Sequence, residues 1–193
     1  MLISERGLLL RPIEISDLDF VVALRNNLTV ERLASQKPPL PHLRAEFEAN
    51  LMDPVSRLSC SHGGSDSLEF MCEVEGEPAG IGGLYAIDPY ARHAELGVSF
   101  ADGPWRGCGY GELAHRRLIE YGFEDLNLRR ILGSVHADNT GVLRLCEKLG
   151  YELEGIRKEF RWVNGQYVDL HVFSMDRASY AAKKAHLEAS RPE

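Results

Sequence analysis

A single mixed α/β (α+β) domain built on one central sheet is what this sequence predicts, on three observations. Strand-like runs joined by tight turns fill the stretch from Leu68 to Phe100. A glycine loop then separates the last of these runs from a helical segment, and a strand, a short capped helix and a two-strand hairpin follow. The 193 residues suffice for one domain, 1-193, to bury a core without disulfides. That core runs from about residue 7 to 176, with no internal repeat or linker dividing it.

Each element has a local reason. Gly7 to Ile13 reads as a first strand, and Ser16-Asp17 offers a cap for a helix carrying Leu18, Val21, Val22 and Leu24 up to Arg25. The stretch Asn26 to Met52 is polar and mixed, interrupted by Pro38-Pro39-Leu40-Pro41, with a helix expected from Leu43 to Met52. Ser56 to Ser67, rich in Ser and Gly, reads as a surface loop. Strands are expected at Leu68–Val74, Ala79–Ala86 and His93–Phe100, an antiparallel meander whose first turn is Glu75-Gly76-Glu77-Pro78. A helix from about Gly111 to Phe123 and a strand at Arg130–His136 come next. Asp138 or Asn139 caps a short helix that ends at Leu149, before a left-handed Gly150. Tyr151–Trp162 and Tyr167–Met175 form the last hairpin around Asn164-Gly165, a strong tight-turn dipeptide. The tail, 177-193, reads as a helix or a frayed end.

The loop Trp105-Arg106-Gly107-Cys108-Gly109-Tyr110-Gly111 carries the most functional information. Its alternate glycines allow a ligand to approach the backbone, and the helix that follows offers unpaired N–H groups and a favourable dipole to an anion. Arg106 adds a fixed positive charge. A phosphate-bearing ligand, most simply a pyrophosphate, fits this arrangement. Gly111-Glu112-Leu113 has no Gly-Lys-Ser/Thr ending, which disfavours a nucleotide triphosphatase, and the next strand ends in His136 rather than the acidic residue of a dinucleotide fold.

Arg106-x-x-Gly109-x-Gly111 resembles the acyl-CoA pyrophosphate loop of the GNAT acetyltransferase superfamily. Downstream, N-T-G-V-L-R-L-C-E-K-L-G-Y from Asn139 to Tyr151 is similar to the family's N-x-x-A-x-x-x-Y-E-K-x-G-F segment. Gly7-Leu8-Leu9-Leu10-Arg11-Pro12, Ser16-Asp17, Gly155-Ile156-Arg157 and Asn164 to Asp169 resemble the RimJ/RimL-like branch, and Ala94-Glu95 with Asn164-Gly165-Gln166-Tyr167 also resembles spermidine acetyltransferases. The resemblance covers about Leu8 to Asp176. It implies the GNAT fold, in which helices flank the sheet and splayed strands hold acyl-CoA. It also implies acetyl-CoA as co-substrate and direct acetyl transfer to a primary amine in a ternary complex. The acceptor would be a small molecule (polyamine, amino sugar or antibiotic) or a protein or peptide N-terminus. The alternative is a non-catalytic acyl-CoA-binding or regulatory module.

Composition limits the partners. A net charge of −7 disfavours a general nucleic-acid binder and suits a cationic acceptor or plain solubility. No apolar run approaches the roughly 18 residues needed to span a bilayer, so no membrane association is expected. The opening Met1 to Arg6 lacks a secretory pattern, giving cytoplasmic residence as the default. Cys60, Cys72, Cys108 and Cys146 are scattered, as are the histidines, so free thiols and no metal site are expected. The exposed final strands offer an edge through which a homodimer would form.

Acetyl transfer needs a neutral amine, a polarised carbonyl, a stabilised oxyanion and a tolerable leaving thiolate. The resemblance makes Glu95 the general base and Val98, Ser99 and Phe100 the backbone that holds the thioester and its oxyanion. Glu95 and Ser99 are therefore the candidate catalytic residues. Val98, Phe100, Arg106, Gly107, Cys108, Gly109, Tyr110, Gly111 and Asn139 are the candidate cofactor contacts, with Asn139 equally readable as a helix cap. Strand periodicity puts His93, Glu95, Gly97 and Ser99 on one face, and Glu95 also reads as a solvated outward residue. Cys146 stands where many GNAT enzymes have a tyrosine that protonates the CoA sulfur. A buried cysteine acts as a small hydrophobe, which leaves three readings: another hydroxyl (Tyr110, Tyr151 or Tyr167) serves, no acid is needed, or turnover is lost. His136, Asp169 and His171 are weaker candidates on the acceptor side.

Overall fold

The structure, a computed structural model, describes residues 3–34, 39–52 and 67–189. Eight strands form one sheet in the order β1-β2-β3-β4-β5-β6-β8-β7. They are β1 (Ile3–Glu5), β2 (Leu8–Pro12), β3 (Leu68–Val74), β4 (Glu77–Asp88), β5 (His93–Phe100), β6 (Arg130–His136), β7 (Glu152–Val163) and β8 (Gln166–Asp176). A 3-10 turn (Ile15–Asp17) leads into α1 (Leu18–Arg25), followed by α2 (Leu28–Ala34) and α3 (Arg44–Met52). Later helices are α4 (Tyr110–Glu124), α5 (Thr140–Leu149) and α6 (Arg177–Ala189). This is the mixed α/β sheet flanked by helices that the sequence predicts.

The first five strands are antiparallel neighbours, the β5–β6 pair is parallel, and β6 and β7 each run antiparallel to β8. Two tight turns have the chemistry expected of them: Glu75-Gly76 and Asn164-Gly165 both place positive φ at each central residue, which suits the twist of a two-residue hairpin. Strand β4 is longer than predicted and admits Pro78 at its second position, where a missing N–H is tolerated. Two elements were not anticipated. β1 has only three residues, and α2 lies inside the stretch read as polar and mixed. The expected loop at 56–67 lies outside the described residues except for Ser67.

Packing divides the two faces of the sheet. On one, α4 buries Ala114, Leu118, Ile119 and Phe123 against Leu8, Leu10, Cys72, Leu84, Ala94 and Ile131. On the other, α1 and α2 set Val21, Leu24 and Val30 against Met71 and Ile81. Arg11 joins three elements, donating to both oxygens of Asp17 at 2.7 and 2.9 Å and to Glu73 on β3 at 2.6 Å.

Candidate functional site

The β5–β6 pair stops early. Register runs through His93↔Arg130, Ala94↔Ile131 and Glu95↔Leu132, and no further. β5 continues on β4 as far as Phe100, while β6 continues on β8 as far as His136. Two strands that each hold their outer neighbours but part from one another leave a wedge-shaped gap, with the backbone edge of β5 from Leu96 onward facing it. Peptide groups on such an edge need partners, and an extended ligand supplies them as an added strand would.

Glu95 is the last β5 residue before the strands part. Side-chain alternation puts Leu96, Val98 and Phe100 against the α4 cluster, while Glu95, Gly97 and Ser99 face the α1–α2 side. Leu132, Ser134 and His136 share that second face across the gap, since paired residues lie on the same side of a sheet. The side chains of Val98 and Phe100 are thus committed to packing, which leaves their backbone to meet a ligand.

At the far end of β5, the glycine loop opens α4. Gly107 and Gly109 have φ of +77° and +87°, a region that disfavours other residues, and Gly109 is the N-cap. The cap residue supplies no side chain to the first amides of α4, and a Cβ at Gly107, Gly109 or Gly111 meets nothing within 4 Å. Open backbone amides at a helix N-terminus make an anion cradle, and it fits a pyrophosphate. Arg106 lies at its rim, exposed and paired with Asp102 at 2.7 Å. Cys108 is exposed, whereas the Tyr110 ring packs on the α4 cluster with its hydroxyl beside Gly7. A groove of about 660 Å³ continues from Cys108 and Gly109 along the outside of α4, between Arg6 and Lys183.

Other candidates separate. Asn139 caps α5, its Oδ1 accepting from the Val142 amide at 3.4 Å. Cys146 is buried with Val135 and Phe173, and burial pushes its thiol up to about 11. Tyr151 packs beside it with its phenol raised by burial, and Tyr167 is exposed on the last hairpin against Trp162. His136 is buried on the Glu95 side, its basicity lowered by desolvation and then by the charge of Arg161. His171 pairs with Val135 and packs near Phe173, on the opposite face from Glu95. Asp169 accepts from Lys158 at 2.7 Å and from the Glu159 amide at 2.9 Å. Asp169 and His171 share a face, as alternation predicts, and it is the one opposite Glu95. Among the described residues no group of three or more His, Cys, Asp or Glu side chains is arranged to hold a metal ion.

Sequence reasoning missed one side chain on the cleft face, Tyr85. It is the register partner of Glu95, and its hydroxyl donates to Glu69 at 3.0 Å. Arg25, at the end of α1, donates to the same Glu69 oxygen at 2.6 Å and lies 3.6 Å from Glu31 on α2.

Residues 7–152 match the acetyltransferase (GNAT) domain family. The chain belongs to that family. Among its relatives, the uncharacterized N-acetyltransferase p20 of Bacillus licheniformis is 28% identical over 180 residues, covering 93% of this chain and 98% of the relative. Spermidine N(1)-acetyltransferase of Escherichia coli (strain K12) is 29% identical over 166 residues, 85% of this chain and 83% of that one. Among solved structures, spermidine N-acetyltransferase from Vibrio cholerae in complex with CoA and spermine superimposes with a TM-score of 0.77 at 25% identity, covering 91% of this chain and 98% of that one. The protein is an acetyl-CoA-dependent N-acetyltransferase of the GNAT fold.

Proposed function

We propose that this enzyme acetylates a primary amine of a small cationic molecule (a polyamine, amino sugar or aminoglycoside) with Glu95 as general base. The observation that carries this reading is the place of Glu95, at the last register pair before β5 and β6 part, on the face opposite α4. Relatives that act on spermidine support the acceptor class. Protein N-termini are the second acceptor class, in keeping with the RimJ/RimL-like features of the chain.

Acetyl-CoA supplies an acyl group activated as a thioester. The protein supplies the rest. Glu95, directly or through a water, removes the proton that would hide the amine's lone pair. Amides alternate along a strand, and the Ala101–Ala79 bond puts the Ser99 amide on the β4 side. It is therefore the amides of Val98 and Phe100 on the gap edge of β5, with Ser99 between them, that donate to the carbonyl oxygen as negative charge grows there. Arg106 and the amides of Gly107 to Gly111 hold the pyrophosphate, with Cys108 and Tyr110 contributing backbone, and Asn139 holds the pantetheine arm while capping α5. The positions of Tyr110, Tyr151 and Tyr167 favour departure of the thiolate without a side-chain acid. The whole chain acts as one domain, in the cytoplasm and as a homodimer.

Thiol release from acetyl-CoA across polyamines, amino sugars, aminoglycosides and short peptides tests the assignment. Turnover with the small amines above the peptides supports it. Turnover with peptides alone transfers the enzyme to the second acceptor class. Silence across the panel, with acetyl-CoA still bound in calorimetry, favours a non-catalytic CoA-binding module.

A further inference from the structure

Tyr85 lies on the same face of the sheet as Glu95, as its register partner on β4. It is half-buried and belongs to none of the apolar clusters among the described residues. A Cβ on Gly97 would lie 3.2 Å from its Cε2, so the ring rests against the strand at the one position that can accommodate it, between Glu95 and Ser99. Its hydroxyl is fixed by Glu69, which Arg25 also grips, so the ring cannot swing away without breaking a charge-assisted bond.

The electrostatics around this ring favour a cation. Glu69 and Glu31 bring two carboxylates to one guanidinium, Arg25, and Glu95 stands directly across the strand pair. The phenol is shared between Glu69 and the Arg25 guanidinium, so the pull on a positive charge at the ring face comes from the excess of carboxylates over that one cation. An amine reaches an acetyltransferase mostly as ammonium and must be held in that form before it loses a proton.

We propose that Tyr85 is a specificity-determining residue of the acceptor site, an aromatic wall that binds the incoming ammonium by a cation–π contact and delivers it to Glu95. The proposal rests on the amine-acetylating reading above and deepens it. Gly97 is then required because any side chain there would displace the ring, and Glu69 and Arg25 are positioning residues that keep the ring in place.

A measurement without turnover separates the two ideas. Calorimetry on CoA-loaded protein compares choline, a quaternary ammonium that cannot be acetylated, with its neutral isostere 3,3-dimethylbutan-1-ol. Wild type should favour choline by about tenfold. Tyr85→Phe, which keeps the ring, should preserve most of that preference, and Tyr85→Leu should abolish it with CoA affinity unchanged. In turnover, Tyr85→Leu should raise the acceptor KM by about tenfold while kcat falls little, because ground-state capture is what is lost. Equal binding of the two probes by wild type overturns the proposal even if Tyr85→Leu fails to fold. A wild type that discriminates between the probes but acetylates no amine keeps the cation site and instead overturns the assignment of the reaction.

Discussion

Glu95 and Cys146 lie at two positions where the family's chemistry meets this chain's own residues. A carboxylate beside the gap can take a proton that the amine must lose, so replacing it with the isosteric amide removes a base without changing shape. Glu95→Gln is expected to lower kcat/KM for the acceptor by about a hundredfold or more at neutral pH, with acetyl-CoA affinity unchanged in calorimetry. Activity near the wild-type level would eliminate Glu95 as the base. Cys146 is a different case, because its thiol is buried with Val135 and Phe173 and held in its protonated form by burial. A group that ionises only near pH 11 has little tendency to give up its proton to a thiolate of ordinary basicity. Its place on the apolar side of α5, and with it its packing, can be read from the sequence, whereas the effect of that burial on its thiol cannot.

Between elements, the most consequential tie is the one Arg11 makes from β2 to the turn before α1 and to β3. Its hydrogen bond holds the nearly buried Asp17 carboxyl below the usual carboxylate range, against the opposing effect of desolvation. A carboxyl more acidic in the folded state than in the unfolded one stabilises at neutral pH, and this stability is lost as pH falls through the folded-state value. Asp17→Asn should therefore cost about 3 kcal/mol in urea unfolding at pH 7, and the gap from wild type should close in strongly acidic buffer. A gap that persists unchanged at low pH would mean that the loss comes from packing rather than charge. This element scale is also where legibility divides. The bounds of β5 and β6 follow from alternation and from the glycine and asparagine signals beside them, so they could be read directly. α2 could not, because seven residues burying chiefly Val30 and Glu31 leave almost no periodic signal. Tyr85 was illegible for another reason. Its importance depends on being opposite Glu95 and resting on Gly97, which are facts of register between strands. Asp169 and His171 show the converse: period two says they share a face but not which face, and only pairing to β6 resolves it.

Across the whole molecule, the two edges of the sheet are unequal. β1 ends one side with three residues, while β7 ends the other with twelve, nearly all exposed. The last hairpin also gathers exposed apolar side chains: Leu153, Ile156, Phe160, Trp162 and Tyr167 are each 40% exposed or more. A concentration of this kind on one edge marks a contact surface, and an unpaired strand is the simplest template for a second copy. The charged residues Arg157, Lys158 and Arg161, and the two register irregularities in β7, restrain open-ended stacking while leaving a closed two-fold pairing available. Because a two-fold interface uses the same patch from both copies, one substitution enters it twice. Sedimentation should show a dimer at micromolar protein, and Phe160→Glu should convert it to monomer with its melting temperature little changed, since this side chain is already half exposed. A wild type that sediments as a monomer would end the proposal. A Phe160→Glu variant that remains dimeric would move the interface away from this edge to another face of the sheet.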